Sequence, residues 1–322
     1  MSDWPRPIVV VSACLGFEAC RYDGQQLSSG FLELLADHVE FQILCPELAM
    51  GLGVPRPTIH IERHDAAELL IEAATRRELT IPMQEWAKGW LAERTRVDGF
   101  VLKSKSPSCG IRDTKIHAKG GHSVLERGAG FFARAAMQRF PEAAVEDEAR
   151  LSQLAHREHW LSHIFTKARF HALPAREGLA ALQRFQAEHK FLLQACDEAR
   201  MRQLGRLVGE GKRLGAAQCF ARYGRILFEA LTQPPSRKSQ VNVLEHCLGF
   251  LKDRLNSREK ARFLDCLHSY RQGELPLCAP RRLLAAWAKR FEVSYLLGQR
   301  YFAPFPEGLL QECDDYPNTS AE

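Results

Sequence analysis

Residues 7–16 have the sequence PIVVVSACLG, and this stretch decides the architecture of the first half of the chain. Its β-branched run is too short for helical periodicity and ends in small residues, as a buried parallel strand does where it enters a loop. Two further apolar runs, at residues 39–44 and 99–102, have the same character. Helical patterns at residues 29–38 and 81–94 separate the three runs. This alternation predicts an α/β domain with a Rossmann-like parallel sheet.

The second half of the chain, from about residue 150, has a different pattern of apolar residues and a different composition. Apolar residues recur at helical spacing, β-branched residues become few, and breaks fall at Pro174, Pro234, Asn256 and Pro276. We expect helices at residues 148–171, 177–202, 202–231, 239–255, 257–272 and 280–301. The sequence therefore predicts an α/β domain of residues 1–145, an all-α domain of residues 146–312 and a disordered tail of residues 313–322.

Composition places the protein among ordinary globular chains of two domains. It has 322 residues, of which 45% are hydrophobic and 26% are charged. Residues 7–17 are too short an apolar stretch to cross a bilayer, and no leader pattern precedes them, so we expect no membrane contact. Ten cysteines in such a chain indicate a reducing compartment, and we expect a cytoplasmic location.

The net charge of +5 is unevenly distributed along the chain. Residues 1–150 carry 18 Lys and Arg against 21 Asp and Glu, a balance of −3, whereas residues 151–322 carry 26 against 18, a balance of +8. A basic half of this kind is expected of a module that binds a polyanion, because neutralised phosphates supply most nonspecific nucleic-acid affinity. A solubilising surface is the alternative interpretation.

Each of the three predicted strands leads into a loop that carries a cysteine, namely Cys14, Cys45 or Cys109. Ligands of open parallel sheets lie at the carboxyl ends of the strands, so we expect these thiols to meet there. Three converging thiolates repel one another unless a cation or cluster neutralises them, which favours a soft metal site with one open position. Structural zinc with Cys20 as a fourth ligand, or buried free thiols, are the alternatives.

Two polar features accompany these cysteines. Glu47 follows Cys45 by two residues, and it is a candidate general acid or base, or else a carboxylate that complements a helix N-terminus. Residues 103–110 combine two lysines, three serines and Cys109 in a loop with proline and glycine. Such a loop can present hydroxyls and backbone N–H groups to an oxyanion or phosphate, although a plain turn has a similar composition.

Four motifs, in this order and spacing, resemble those of the thiouracil desulfidase family: SACLG at residues 12–16, CRYDG at 20–24, CPE at 45–47 and KSPSCG at 105–110. The resemblance covers about residues 7–140. The second half, including REHW at residues 157–160 and residues 280–306, resembles a helical domain of formerly unknown function that is found fused to this family. The two-domain arrangement is similar to that of bacterial tRNA 4-thiouridine desulfidases.

The resemblance implies a cofactor and an activity. A 4Fe-4S cluster would be held by only three cysteines, Cys14, Cys45 and Cys109, and its fourth iron would bind the sulfur of a thiocarbonyl. Glu47 matches the catalytic acid/base position of the family and Ser106 matches its hydroxyl position. Cys20 falls within a family motif without being a ligand. The implied reaction removes sulfur from 4-thiouridine in tRNA and gives uridine and hydrosulfide.

A basic surface is the expected contact with tRNA. Its candidates are Lys103, Lys105, Arg157, Lys212, Arg213, Arg237 and Lys238. Two other interpretations stay open. The protein could act on free thiolated nucleobases such as thiouracil, or it could be a non-enzymatic iron–sulfur sensor that binds nucleic acid, with Cys20 as a fourth ligand and no need for Glu47.

Overall fold

The computed structural model describes residues 4–310, apart from the side chain of residue 175. Contacts divide the described chain into two compact units, one of residues 6–160 and the other of residues 161–310 together with residues 4 and 5. The predicted domain boundary follows residue 145, whereas this division falls inside a helix farther along the chain. The predicted tail of residues 313–322 lies outside the described residues.

The first unit contains the predicted parallel sheet. Strands β1, β2, β5 and β8 form it in the order β2-β1-β5-β8, and all three pairings are parallel. The predicted α/β class is therefore confirmed. The strands of the unit are β1 (Ile8–Ser12), β2 (Glu40–Leu44), β3 (Ile59–His64), β4 (Ala67–Glu72), β5 (Gly99–Leu102), β6 (Thr114–Ala118), β7 (Val124–Gly128) and β8 (Ala144–Asp147).

The centre of this sheet is fully buried, as its uninterrupted apolar sequence requires. Val9, Val10, Val11 and Phe100 have no solvent exposure. The helices of the unit are α1 (Gly30–Leu35), α2 (Pro46–Ala49), α3 (Thr80–Ala92), α4 (Phe131–Arg139) and α5 (Glu148–Leu151). The hydroxyl of Ser29 caps α1 by accepting a hydrogen bond from the Leu32 N–H.

A second sheet, of order β4-β3-β6-β7, was not predicted from the sequence. It is mixed, because β3 pairs in parallel with β6 while β4 and β7 pair antiparallel at the two edges. Its edge strands read AELLIE and VLERG, and every residue of β7 is exposed or half-buried. In β4 a short apolar run lies between Glu68 and Glu72, and in β7 the apolar residues are exposed, so neither edge strand shows the uninterrupted apolar pattern of β1.

The second sheet also holds a buried carboxylate. Glu62 on β3 has no exposed side-chain surface and accepts two hydrogen bonds from Arg76, at 2.6 and 2.8 Å. His60 and His64 contact the same carboxylate at 2.6 and 3.0 Å, and the Gly120 N–H donates to it at 3.1 Å. These hydrogen bonds, led by those of Arg76, hold the pKa of Glu62 well below its ordinary value although burial acts in the opposite direction.

Helices make up the described part of the second unit, which confirms the predicted all-α class. Helix α6 (Leu154–His171) leads into it, and the others are α7 (Gly178–Glu188), α8 (Lys190–Cys196), α9 (Glu198–Gly209), α10 (Gly211–Leu214), α11 (Ala216–Leu231), α12 (Arg237–Gly249), α13 (Ser257–Gln272), α14 (Cys278–Arg290) and α15 (Ser294–Leu297).

Several predicted helices are shorter in the structure. The predicted helix of residues 177–202 is divided at Asp197, whose extended backbone and side chain cap α9. The predicted helix of residues 202–231 is divided at Gly215, which has a φ of 82° that favours glycine. Apolar residues recur at helical spacing on both sides of each break, so periodicity alone did not reveal the breaks.

Aromatic side chains fill much of the core of the second unit. Phe170 stacks on Tyr223 with ring centroids 5.7 Å apart, and the Tyr223 hydroxyl donates to Gln186. Trp287 is also buried in this core. Their burial makes them packing residues rather than exposed platforms for a nucleobase. Within residues 4–310, no helix is both long enough and apolar enough to cross a membrane.

Candidate active site

A cavity of about 390 Å³ lies where strands β2, β1 and β5 end. The loops after these three neighbouring strands contribute Cys14, Cys45 and Cys109 to its wall, as predicted from their positions after the strands. Glu47, Ser106, Lys103 and Lys105 line it too, and so do Cys20, Arg21, Tyr22 and Arg56. The topology therefore brings together the residues that the sequence placed up to 95 positions apart, from Cys14 to Cys109.

The three thiols share one electrostatic environment. Burial, and after it the nearby Cys45, raises the pKa of Cys14 to about 11. Burial also raises the pKa of Cys109, and Cys14 and Cys45 act in the same direction, while a hydrogen bond with Ser12 opposes them. All three cysteines are free of disulfides. Three thiolates at this place therefore require a cationic partner.

The Cys45 thiol is not used to cap the helix that follows it. Cys45 is the N-cap residue of α2, but its side chain makes no capping hydrogen bond. Pro46 occupies the first helical position, where its missing N–H costs nothing. Cys20, almost wholly buried, contacts Cys45 through a hydrogen bond between the two thiols, and burial raises the pKa of Cys20. Cys20 thus lies beside the three predicted ligands without following a strand of the sheet.

Ser106 organises the loop that carries Cys109. Its Oγ accepts hydrogen bonds from the N–H groups of Ser108 and Cys109, at 3.2 and 3.0 Å. Its carbonyl accepts from the Gly110 N–H and from the Thr114 hydroxyl, both at 2.8 Å. A Cβ on Gly110 would lie 2.2 Å from the Thr114 Oγ1, so this turn requires glycine. The predicted hydroxyl therefore also fixes the backbone of a predicted ligand.

Glu47 is held by two residues that the sequence analysis did not identify. Its Oε2 accepts a hydrogen bond from the Arg56 Nε at 2.8 Å and forms an ion pair with the Arg56 Nη2 at 2.7 Å, while its Oε1 accepts from the Ser108 hydroxyl at 2.9 Å. Arg56 and Ser108 are both buried. Ser108 lies inside the KSPSCG motif, whereas no sequence pattern distinguishes Arg56, which lies between Pro55 and Pro57.

The two predicted lysines of the cavity differ in their surroundings. Lys103 donates through Nζ to the carboxylate of Glu148 and to the hydroxyl of Ser104. The backbone N–H of Lys105 donates a hydrogen bond to the Asp113 carboxylate, and Lys105 has a positive φ of 60°. Lys103 is thus engaged in an ion pair within the first unit, while Lys105 lies at the exposed edge of the cavity.

The remaining predicted tRNA contacts lie on helices. The Arg157 Nε donates to the Leu151 carbonyl at 2.7 Å, and its guanidinium lies 4.9 Å from the centre of the Phe31 ring. Lys212 and Arg213 are exposed on α10, and Arg213 pairs with Glu210 at 2.9 Å. Arg237 and Lys238 are exposed in the first turn of α12. RNA binding by these residues stays a prediction.

Within residues 4–310, no group of three or more His, Cys, Asp or Glu side chains is arranged to hold a single metal ion.

A known family model matches each half of the chain. A family model described as 2-thiouracil desulfurase matches residues 9–148, and one described as a protein of unknown function, DUF1722, matches residues 190–306. The Escherichia coli (strain K12) protein YbgA is 28% identical over 149 residues, which are 45% of this chain and 88% of YbgA. The Bacillus subtilis (strain 168) protein YbbK is 30% identical over 139 residues, which are 38% of this chain and 92% of YbbK.

Among solved structures, a 4Fe-4S-dependent thiouracil desulfidase named TudS is 28% identical, and the match covers 48% of this chain and 98% of TudS. The TM-score of 0.36 is too low for the superposition to support an argument about fold. The sequence matches carry the assignment: through residues 9–148, this chain belongs to the 2-thiouracil desulfurase family.

Proposed function

We propose that this desulfidase acts on tRNA, where it converts 4-thiouridine to uridine and hydrosulfide with the help of a 4Fe-4S cluster. The observation that carries the proposal is the convergence of three free thiols and one carboxylate, that of Glu47, on a single cavity of about 390 Å³. This volume lies within the range of small-molecule sites. It lies at the carboxyl ends of parallel strands, where α/β proteins bind their ligands.

The donor set fits such a cluster. Cys14, Cys45 and Cys109 are soft ligands without disulfide partners, and the raised pKa values of Cys14 and Cys109, caused by burial and by the neighbouring thiols, mean that their thiolates need a cation. Three protein ligands to a four-iron cluster leave one iron open. When bound, the cluster would supply a soft Lewis acid for the sulfur of a thiocarbonyl.

The chain's own residues then carry the hydrolysis. Glu47 accepts a proton from a water molecule, whose oxygen forms a bond to the thiocarbonyl carbon. The carbon–sulfur bond breaks and the sulfur leaves as hydrosulfide, so the exchange of sulfur for oxygen involves no net electron transfer. Ser106 Oγ already accepts two backbone hydrogen bonds, which leaves its own hydrogen to donate to a carbonyl or nitrogen of the pyrimidine.

Two features support a polynucleotide substrate. Residues 151–322 carry a net charge of +8, and Lys105 and Arg21 line the catalytic cavity. A thiolated uridine in tRNA would be turned out of its stack into the cavity while basic side chains bind the neighbouring phosphates. A cytoplasmic location, as expected from the unpaired thiols of the site, belongs to the same proposal.

Substrate preference tests this proposal directly. We would reconstitute the protein without oxygen and measure sulfide release and nucleoside composition with thiolated tRNA, free 4-thiouridine and free 4-thiouracil. The proposal predicts about four irons per chain and a kcat/KM for tRNA well above that for the free base. Equal or higher kcat/KM for 4-thiouracil would favour the second candidate, a desulfidase of free nucleobases, which the family description supports.

Charge removal tests the tRNA contact separately. Each phosphate contact contributes about 0.7–0.9 to the slope of log affinity against log salt, so a variant with Lys212, Arg213, Arg237 and Lys238 changed to Gln should show a shallower slope. A matched control changes four basic residues of the first unit, Lys88, Lys115, Lys119 and Arg139. An equal loss of tRNA affinity in both variants would show nonspecific attraction instead of a defined surface.

The sensor alternative makes a different prediction for Glu47. A non-enzymatic iron–sulfur protein needs no base beside the cluster, so Glu47→Gln would leave its biological effect intact. For the desulfidase we expect Glu47→Gln to keep the iron content and to lower kcat by about 10²-fold or more. Full turnover by this variant would contradict the proposed role.

A further inference from the structure

The carboxylate of Glu47 is clamped on both of its oxygens. Oε2 accepts a hydrogen bond from the Arg56 Nε at 2.8 Å and pairs with the Arg56 Nη2 at 2.7 Å, and Oε1 accepts the Ser108 hydroxyl at 2.9 Å. A carboxylate offers about four lone-pair sites. The hydrogen bonds from Arg56 and Ser108 use one site on each oxygen and leave the others for a water molecule.

Arg56 is itself held firmly in place. Its Nη1 donates to the Gly53 carbonyl at 2.9 Å, and its backbone N–H donates to the Tyr22 carbonyl at 3.0 Å. Its side chain is 4% exposed. The prolines on either side restrict the backbone further. A guanidinium fixed by these contacts holds its charge and its Nε–H against one carboxylate oxygen in a single orientation.

Ser108 is equally immobile. It is fully buried, its N–H donates to Ser106 Oγ, and its carbonyl accepts the Ala133 N–H at 3.1 Å. A Cβ on Gly130 would lie 2.6 Å from the same carbonyl, so helix α4 begins in direct contact with this residue. These contacts fix the position of the Ser108 hydroxyl, which therefore holds the Glu47 Oε1 in one place.

From this geometry we infer that Arg56 and Ser108 are positioning residues for Glu47, and that together they fix the orientation of its carboxylate toward the attacking water. Each residue holds a different oxygen, so the plane of the carboxylate is set by both contacts. The inference rests on the proposed desulfidase function. It goes beyond that function because it names the residues that orient the base.

Arg56 also connects Glu47 to a residue at the opening of the cavity. Tyr22, which lines the cavity with 44% of its surface exposed, is joined to Arg56 by the backbone hydrogen bond. A shift of the 21–24 turn is therefore transmitted to the residue that orients Glu47. Misplacement of a reacting group by about 1 Å can cost 10²-fold in rate.

The test compares Arg56→Met, Arg56→Lys and Ser108→Ala in the reconstituted protein with a thiolated substrate. We expect Arg56→Met to lower kcat by about 10²-fold while KM changes less than about threefold, because the base is misaligned and the substrate still binds. Arg56→Lys should recover part of kcat, since one ammonium restores the charge but not the two-point contact. Ser108→Ala should lower kcat by about tenfold. The iron content should stay unchanged in all three variants.

A matched control separates positioning from stability. Arg96 forms a comparable pair with the buried Asp98, at 2.7 Å, and neither residue lines the cavity. Arg96→Met should lower the melting temperature and leave kcat within about twofold of wild type. If Arg56→Met does not fold, Arg56→Lys and Ser108→Ala carry the test.

A second comparison asks whether Ser108 acts through Glu47. In a Glu47→Gln background, adding Ser108→Ala should lower the residual kcat by no more than about twofold. Wild-type kcat in both Arg56→Lys and Ser108→Ala would overturn the positioning role while leaving the desulfidase function intact. A wild-type protein with full iron and no activity on any thiolated substrate would instead overturn the proposed function, and the inference with it.

Discussion

Removal of the Ser106 hydroxyl should loosen the loop that carries Cys109. In Ser106→Ala, the N–H groups of Ser108 and Cys109 both lose their acceptor, at 3.2 and 3.0 Å. A neutral hydrogen bond contributes about 0.5–1.5 kcal/mol net, so the loop should lose about 1–3 kcal/mol of local stability. Because about 1.4 kcal/mol is a factor of ten in an equilibrium, amide protection should fall by about fivefold to 150-fold.

Hydrogen exchange measured on a peptide that spans residues 106–111 reports this change without requiring the two units to unfold together. The control is Ser29→Ala, the same chemical change at the cap of α1, where the hydrogen bond is longer at 3.4 Å. That variant should leave the protection of residues 106–111 unchanged. Unaltered protection of Ser108 and Cys109 in Ser106→Ala would refute the structural role assigned to this hydroxyl.

Three further predictions concern the cluster ligands, the ion pair between Glu62 and Arg76, and the hydrogen bond between Trp160 and strand β8. Each predicted cluster cysteine should be required for iron and sulfide content and for the visible absorbance of the reconstituted protein, whereas Cys20→Ala should retain both; loss of iron in that variant would favour a fourth ligand. Hydrogen bonds from Arg76 hold the pKa of Glu62 below its ordinary value of 4.5, so this pair stabilises the fold above that pH and its contribution falls as the pH drops. Arg76→Met should therefore lower the free energy of unfolding, measured in urea, by more at pH 7 than at pH 4; the same loss at both pH values would contradict this. Trp160→Phe removes the 2.9 Å hydrogen bond to the Ala144 carbonyl and should cost about 1–3 kcal/mol, measured by urea unfolding; a cost near zero would show that water replaces the indole.

Much of the first unit follows from local sequence. The VVV run of β1 has no polar face, so it can only be a strand buried on both sides, and the helices between the strands follow the same logic. The second sheet could not be predicted in this way. Its strands carry charged residues such as Glu62 and Arg63, whose burial or pairing depends on residues that are distant in sequence.

The candidate site likewise contains residues that could be predicted from local sequence and residues that could not. Cys14, Cys45 and Cys109 could be predicted because each follows a recognisable strand, and the carboxyl ends of neighbouring parallel strands meet. Arg56 could not, because it lies in a loop with no periodic pattern, and its contact with Glu47 arises only when that loop folds over the cavity. Nor does the motif around Ser108 show that its hydroxyl reaches the same carboxylate.

The sequence by itself thus determined the class of each half, the strand ends that carry the cysteines and the motifs of the family. Those features depend on local periodicity and on residue type, which are properties of short segments. Only the tertiary structure decided the strand order, the second sheet, the separation of the long helical stretches and the clamp on Glu47. These depend on contacts between residues far apart along the chain, such as that between Glu47 and Ser108, and on backbone geometry that no short segment fixes alone.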